Sequence, residues 1–258
     1  MHYIVSLSGG VASAVAADRA IERYGRENVT LWIADTSWED EDLWRFVYEC
    51  LDRWGGALQV ARDGRTPLQV AEDKSFIPNQ KRAPCSFELK VKPFTKFLET
   101  QEKPLTVLLG LDWTEMHRQD APRRNYEAID GVSVDYPLMW KPYEFRAYYE
   151  VVKTWGIEPP RLYSLGFPHN NCGGRCVKQG VREWIRLRAT FPERFDEVAE
   201  WEAIQRGKGG ARANYAIARD FTGGDVKPLP LSEIAKRQDN ADDIQPSLDD
   251  VFGCMCQY

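Results

Sequence analysis

The 258-residue chain carries 34 Lys and Arg against 39 Asp and Glu, a net charge of -5, and is 43% hydrophobic and 28% charged. That length supports one full core with an appendage, and the charge excludes a global attraction to nucleic acid. No apolar stretch approaches the roughly 20 residues of a membrane span, and no basic-then-apolar leader opens the sequence, so a cytoplasmic protein without membrane contact is expected.

The first half alternates β-rich runs with amphipathic stretches, the pattern of an α/β protein with a parallel-rich twisted sheet flanked by helices. In chain order the predicted strands are 2–8, 29–35, 57–62, 106–111 and 132–138. The predicted helices between and after them are 14–24, stopped by Gly25; 39–54, stopped by Gly55-Gly56; 94–98, opened by Pro93; and 144–155, closed by Gly156. Beyond Pro159-Pro160 the pattern turns to helices alone, at 177–190, 193–205 and 211–221, followed by an Asp-rich tail from Gly223. Two domains are expected: residues 1–165, an α/β domain, and 166–258, a cysteine-containing helical extension and tail.

The first chemistry lies in Ser6-Leu7-Ser8-Gly9-Gly10-Val11-Ala12-Ser13, between the first strand and the first helix. A buried strand that breaks on paired glycines and re-enters as a helix leaves backbone N–H groups and the positive helix end facing one small space. With hydroxyls around it, that space suits a phosphate or sulfate. The second strand ends on Asp35-Thr36, which either caps the next helix or meets the ligand.

Six cysteines in a reducing compartment ask for a metal, redox or packing role. Cys172 and Cys176 flank a Gly-containing loop, Cys254 and Cys256 lie in the tail, and Cys85 sits in a polar loop. Such thiolates can converge on an iron–sulfur cluster or zinc, and Cys254 or Cys256 could instead act as a mobile nucleophile. Cys50, on an apolar helix face between Val47 and Leu51, reads as a small buried hydrophobe.

From Arg175 to Arg219 there are ten basic residues against six acidic ones, a local net charge of +4. Arg175, Lys178, Arg182 and Arg186 step by three, four and four, which stacks them on one helix side as a solvated face or as a grip on RNA or DNA.

Several segments together resemble one family, the phosphoadenosine phosphosulfate reductase branch of the PP-loop adenine nucleotide alpha hydrolase-like proteins. Ser6-Leu7-Ser8-Gly9-Gly10 resembles its PP-loop, Asp35-Thr36-Ser37-Trp38-Glu39 its D-T-G-x-E segment, and Cys85 through Pro93 its cysteine, basic and V-x-P segment. Gly110 through Arg118 resembles G-x-R-x-x-E-x-x-R, with Asp112 in place of the first arginine, and Tyr136-Pro137-Leu138 and 155–163 follow the family order. The resemblance implies an adenine nucleotide such as ATP, with Ser6, Ser8, Gly9, Gly10, Ser13, Asp35 and Thr36 around it. Lys90, Glu115 and Arg118 would do catalytic work, with Lys92 as a further cation near the phosphates, and an iron–sulfur cluster, favoured over zinc, would sit on Cys85, Cys172, Cys176 and a tail thiol. It also implies a sulfur or electron donor protein. Many relatives that cleave ATP carry an aspartate just before the PP-loop's last serine; Val11-Ala12-Ser13 lacks it, which removes a group for positioning Mg²⁺.

The leading functional expectation is therefore an adenine-nucleotide-dependent sulfur-chemistry enzyme acting on a nucleic acid or nucleoside. A sulfonucleotide reductase releasing sulfite and a non-catalytic nucleotide-binding protein are the alternatives.

Overall fold

The strands that alternate with helices in the sequence form one sheet. In the computed structural model, which describes residues 1–141, 147–221 and 226–240, β1 (His2–Leu7), β2 (Val29–Asp35), β3 (Leu58–Arg62), β4 (Leu105–Leu109) and β5 (Val132–Asp135) lie in the order β3-β2-β1-β4-β5. Every pairing is parallel, with Ser6 opposite Trp32 on one side and Leu109 on the other. The expected α/β fold with a parallel sheet flanked by helices is thus found.

Central strands explain their own composition. Ile4, Val5, Val107, Leu108 and Leu109 are completely buried, as strands covered on both faces must be. Each such side chain contributes about 1.5–3 kcal/mol on burial, so a one-residue slip of register would be costly. The edge strand β3 alternates half-buried and exposed positions instead. On one face Ile4, Trp32, Phe94, Leu98, Val107, Leu109, Tyr126 and Val134 form a single core cluster.

The helix α1 spans Val11–Tyr24 and buries Ala14, Ala16, Ala17 and Ala20, whose small side chains let its backbone approach the sheet. It begins three residues before the predicted start, because Gly10 already serves as the N-cap. Ser13 therefore stands in the first helical turn. Arg19, buried on the same helix, donates to the carbonyls of Pro137, Leu138 and Lys141 and closes the short helix Pro137–Trp140. That helix corrects the predicted strand 132–138: β5 stops at Asp135, and Pro137 opens a helical turn where its missing N–H costs nothing.

The helix α2, Glu41–Trp54, is capped by Asp40, whose side chain accepts from the Asp42 amide at 3.0 Å. Asp35 does not cap it. Cys50 lies on its buried face at 1% exposure, and burial pushes that thiol up to about 12.

The chain divides into two compact units. Among the described residues the first comprises Met1–Gly64 and Leu89–Arg161; the second takes Arg65–Glu88 together with 162–240. In the second, helices Val181–Thr190 and Pro192–Gly207 are followed by β6 (Ala218–Asp220) paired antiparallel with β7 (Lys227–Leu229) and by the helix Leu231–Asp239. Two expectations are corrected here. Residues 211–221 form a 3-10 turn, Gly210–Asn214, and a strand rather than a helix, since Gly209 and Gly210 take positive φ and the chain leaves the helical path. The helix of the basic stripe starts at Val181, not 177: Gly180 is extended, at φ -80 and ψ 176.

Candidate functional site

In an open parallel sheet the crevice for a ligand lies beyond the carboxyl ends of the strands where the winding reverses. Here that place is between β1 and β4. The turn after β1 packs there against Gly110, directly after β4. A β-carbon on Gly110 would stand 2.8 Å from the Ser13 Cα and 3.0 Å from its nitrogen, so only glycine permits the approach.

The turn is organised by its own hydroxyls. Ser13 Oγ accepts from the Ser8 amide at 3.0 Å and from Ser8 Oγ at 2.9 Å, and donates to the Gly10 carbonyl at 2.9 Å. Ser8 Oγ also accepts from the Gly10 amide at 3.3 Å. Gly9 takes φ +76, which favours glycine, with Leu43 packed where a side chain would go. No side chain caps α1 and no acid lies in its first turn, so its leading amides and positive dipole end face the turn with no carboxylate in the helix's own first turn.

Beside the turn a cleft of about 390 Å³, open solvent included, is lined by Ser6, Leu7, Ser8, Trp32, Ala34, Lys90, Phe94 and Tyr126. Ser6 reaches it because it shares a sheet face with Trp32, which lies 4.5 Å from Phe94 ring to ring. Lys90 comes from a π-helical turn, Phe87–Val91, that leads into the helix Lys92–Glu99. Its Nζ stands 3.9 Å from Glu39 Oε1, and Thr36 Oγ1 donates to that same oxygen at 2.9 Å. Sequence reasoning missed the structural use of Glu39 and of the cleft aromatics Trp32, Phe94 and Tyr126.

Other expected residues take different positions. Asp35, at the end of β2, accepts from the Ser37 amide at 2.7 Å and pairs with Arg62 at 2.5 Å, closing its own turn. Glu115 and Arg118 pair with each other on the 3-10 turn Trp113–Arg118, which Asp112 caps. Burial pushes the Glu115 carboxyl up, partly opposed by Arg118 and reinforced by Asp112. Neither residue lines the cleft with Lys90. Lys92 is exposed.

Cys85, Cys172 and Cys176 belong to the second unit. Cys85 is half-buried in the turn Pro84–Ser86. Cys172 and Cys176 are buried on a loop in which Cys172, Gly173 and Gly174 all have positive φ. Among the described residues no group of three or more Cys, His, Asp or Glu side chains is placed to hold a metal ion, and Cys254 and Cys256 lie outside the described residues. The described thiols alone therefore do not make a closed cluster site, and no chemical step is assigned to one. The loop's surroundings are nonetheless rich in donors. Arg194 donates to the Gly173 carbonyl at 2.8 Å, and the buried Gln179 Nε2 and Trp184 Nε1 have no acceptor.

The basic stripe is not one helix face. Arg175 and Lys178 precede the helix, Arg175 being largely buried against Glu197, and only Arg182 and Arg186 are on Val181–Thr190. Arg186 packs over Phe167, which leaves Arg182 as the exposed member.

No protein-family model and no curated protein sequence matches the chain. Among solved structures it is similar to a phosphoadenylyl-sulfate (PAPS) reductase from Candida auris in complex with phosphate, at 14% identity and a TM-score of 0.47, over 66% of this chain and 81% of that one.

Proposed function

We propose that the first unit binds an adenine nucleotide, its phosphate or sulfate on the Ser8–Ser13 turn and its remainder in the adjoining cleft, and that the protein is a nucleotide-dependent enzyme of sulfur chemistry. The observation that carries the reading is the uncapped start of α1 at the point where the sheet reverses, with Ser8 and Ser13 hydroxyls around it and no acid in the first turn. Backbone amides would bind the anion without any side-chain rearrangement. Lys90 would add a charge-assisted contact, and Glu39 would hold that ammonium in place while the cleft is empty. In this reading Arg118 steadies developing negative charge and Glu115 holds Arg118.

The acceptor in the leading reading is a nucleic acid or nucleoside, supported by the excess of basic residues over 175–219 and by exposed Arg182. An iron–sulfur cluster held by Cys172, Cys176 and thiols from Cys85, Cys254 or Cys256 would supply sulfur or electron handling, with a donor protein as partner. A second reading, a sulfonucleotide reductase, is favoured by Val11-Ala12, which offers no carboxylate for Mg²⁺ and so suits a reaction without pyrophosphate release. There a thiolate attacks the sulfur of an adenylyl sulfate and expels the nucleotide phosphate, and a second thiol forms a disulfide as sulfite leaves.

Calorimetric titration with ATP and with adenosine 5′-phosphosulfate tests the common core of both readings. Binding is expected for at least one, and Lys90→Met is expected to weaken it by about 1.5–3 kcal/mol, roughly 10- to 150-fold. Absence of binding of either nucleotide overturns the reading. Sulfite release selects the reductase, nuclease-sensitive copurifying nucleic acid selects the first reading, and binding without sulfite or pyrophosphate release selects a non-catalytic nucleotide-binding protein.

A further inference from the structure

Tyr126 closes the helix Asp120–Tyr126 and lines the cleft beside the Ser8–Ser13 turn. It is 2% exposed, yet its hydroxyl makes no hydrogen bond among the described residues and is not one of the polar atoms sealed from solvent. The cleft is the space to which that hydroxyl opens. Tyr136, equally buried in the same core cluster, donates its hydroxyl to the Gln119 carbonyl at 3.1 Å. Buried hydroxyls are ordinarily paired in this way, so an idle one on a cleft wall marks a place where a ligand or water supplies the partner. Only burial acts on the Tyr126 phenol, and it raises the pKa above the ordinary 10.0. The group therefore stays neutral at working pH and can either donate or accept.

The walls around it define what fits. Trp32 stands 4.5 Å from Phe94 ring to ring, Phe94 meets Tyr126 edge-on at 5.2 Å, and Leu7 and Ala34 add apolar surface. Ser8 and Lys90 suit the anion, which leaves the hydroxyls of Ser6 and Tyr126 on otherwise apolar walls. A flat heteroaromatic ring with a polar edge fits such walls better than a ribose, which carries hydroxyls around its rim. We infer that Tyr126 is a specificity residue whose hydroxyl hydrogen-bonds the polar edge of the ligand's nucleobase. The inference rests on the nucleotide-binding part of the proposed function, and adds to it a residue that tells a nucleotide from a bare phosphate or sulfate.

The test is calorimetric titration of the full wild-type chain and of Tyr126→Phe with ATP, adenosine 5′-phosphosulfate and inorganic pyrophosphate, with urea denaturation of both proteins beside it. Tyr126→Phe is expected to bind about 3- to 10-fold more weakly whichever nucleotide wild type binds, the loss of one neutral hydrogen bond. Its affinity for pyrophosphate should be unchanged, and its stability equal to or above that of wild type, because the protein loses no bond of its own. Wild-type nucleotide affinity in Tyr126→Phe overturns the inference and leaves the nucleotide reading standing. Equal weakening for pyrophosphate, or a variant that is less stable or unfolded, overturns it as well, since the hydroxyl would then support the protein and not the base. Where pyrophosphate binds too weakly to measure, the nucleotide and stability arms decide. A wild type that binds neither nucleotide removes the proposed function and the inference with it.

Discussion

Glu202→Ala is expected to destabilise the protein by about 2–6 kcal/mol in urea denaturation, a large part of the total stability of an ordinary domain. Glu202, on the helix Pro192–Gly207, is 1% exposed, and its two carboxylate oxygens accept from the Ile217 and Leu231 amides at 2.6 Å each. Those amides lie just before β6 and at the first turn of the helix Leu231–Asp239. One side chain therefore ties a strand and a helix to a third element, and alanine would leave both donors buried without acceptors. Glu202→Gln keeps one acceptor oxygen and is expected to cost about half as much. The pH dependence has a definite sign. Burial raises the carboxyl above its ordinary value of 4.5, and the two amide donors oppose the rise without cancelling it. The native state thus holds this proton to higher pH than the unfolded chain. Its contribution is complete below 4.5 and declines as pH climbs through the raised native value. Glu202→Gln does not titrate, so the wild-type advantage over it should shrink as pH rises from 4.5 to the raised native value and level off above it. An advantage that grows instead would show that the two amides outweigh burial.

Gly110→Ala is expected to abolish or strongly weaken nucleotide binding, by tenfold or more, with a stability loss of about 1–3 kcal/mol. The added methyl would meet Ser13 Cα at 2.8 Å, Ser13 N at 3.0 Å and the Ala12 carbonyl carbon at 3.3 Å. All three are backbone atoms, so no rotamer change relieves the clash, and the first turn of α1 must shift. That shift moves the amides and the Ser13 hydroxyl on which the proposed anion site depends, and small misplacements of positioned groups are disproportionately costly. Gly207→Ala is the control: nothing lies within 4 Å of its added carbon, and it should leave binding and stability unchanged. Wild-type nucleotide affinity in Gly110→Ala would detach the turn after β4 from the site.

Much of this arrangement was legible because it is local. The run Val29–Asp35 was expected as a strand and is one, since its apolar, β-branched composition suits a strand covered on both faces. The Ser8–Ser13 turn announced itself by paired glycines among hydroxyls. Other readings failed where a distant group intervenes. Periodicity alone made 211–221 helical, but the Ile217 amide is taken by Glu202, and the chain pairs as a strand with residues 227–229. Spacing alone put Arg175 and Lys178 on a helix, but the chain is extended at Gly180 and Arg175 is held by Glu197. Asp35 could have capped α2 as far as sequence tells; Arg62, 27 residues away, takes it instead.

By itself the sequence determined the strand and helix alternation of the first unit, the glycine-broken turn after β1 and the burial of Cys50, because periodicity, glycine freedom and hydrophobicity act within a few residues. Only the tertiary structure decided that Gly110 braces that turn, that Glu39 attends Lys90, that Glu115 and Arg118 pair with each other, and that Gln179 and Trp184 keep unspent donors. Steric approach, charge pairing and hydrogen-bond satisfaction between residues far apart in the chain are fixed by packing, and no local pattern encodes them.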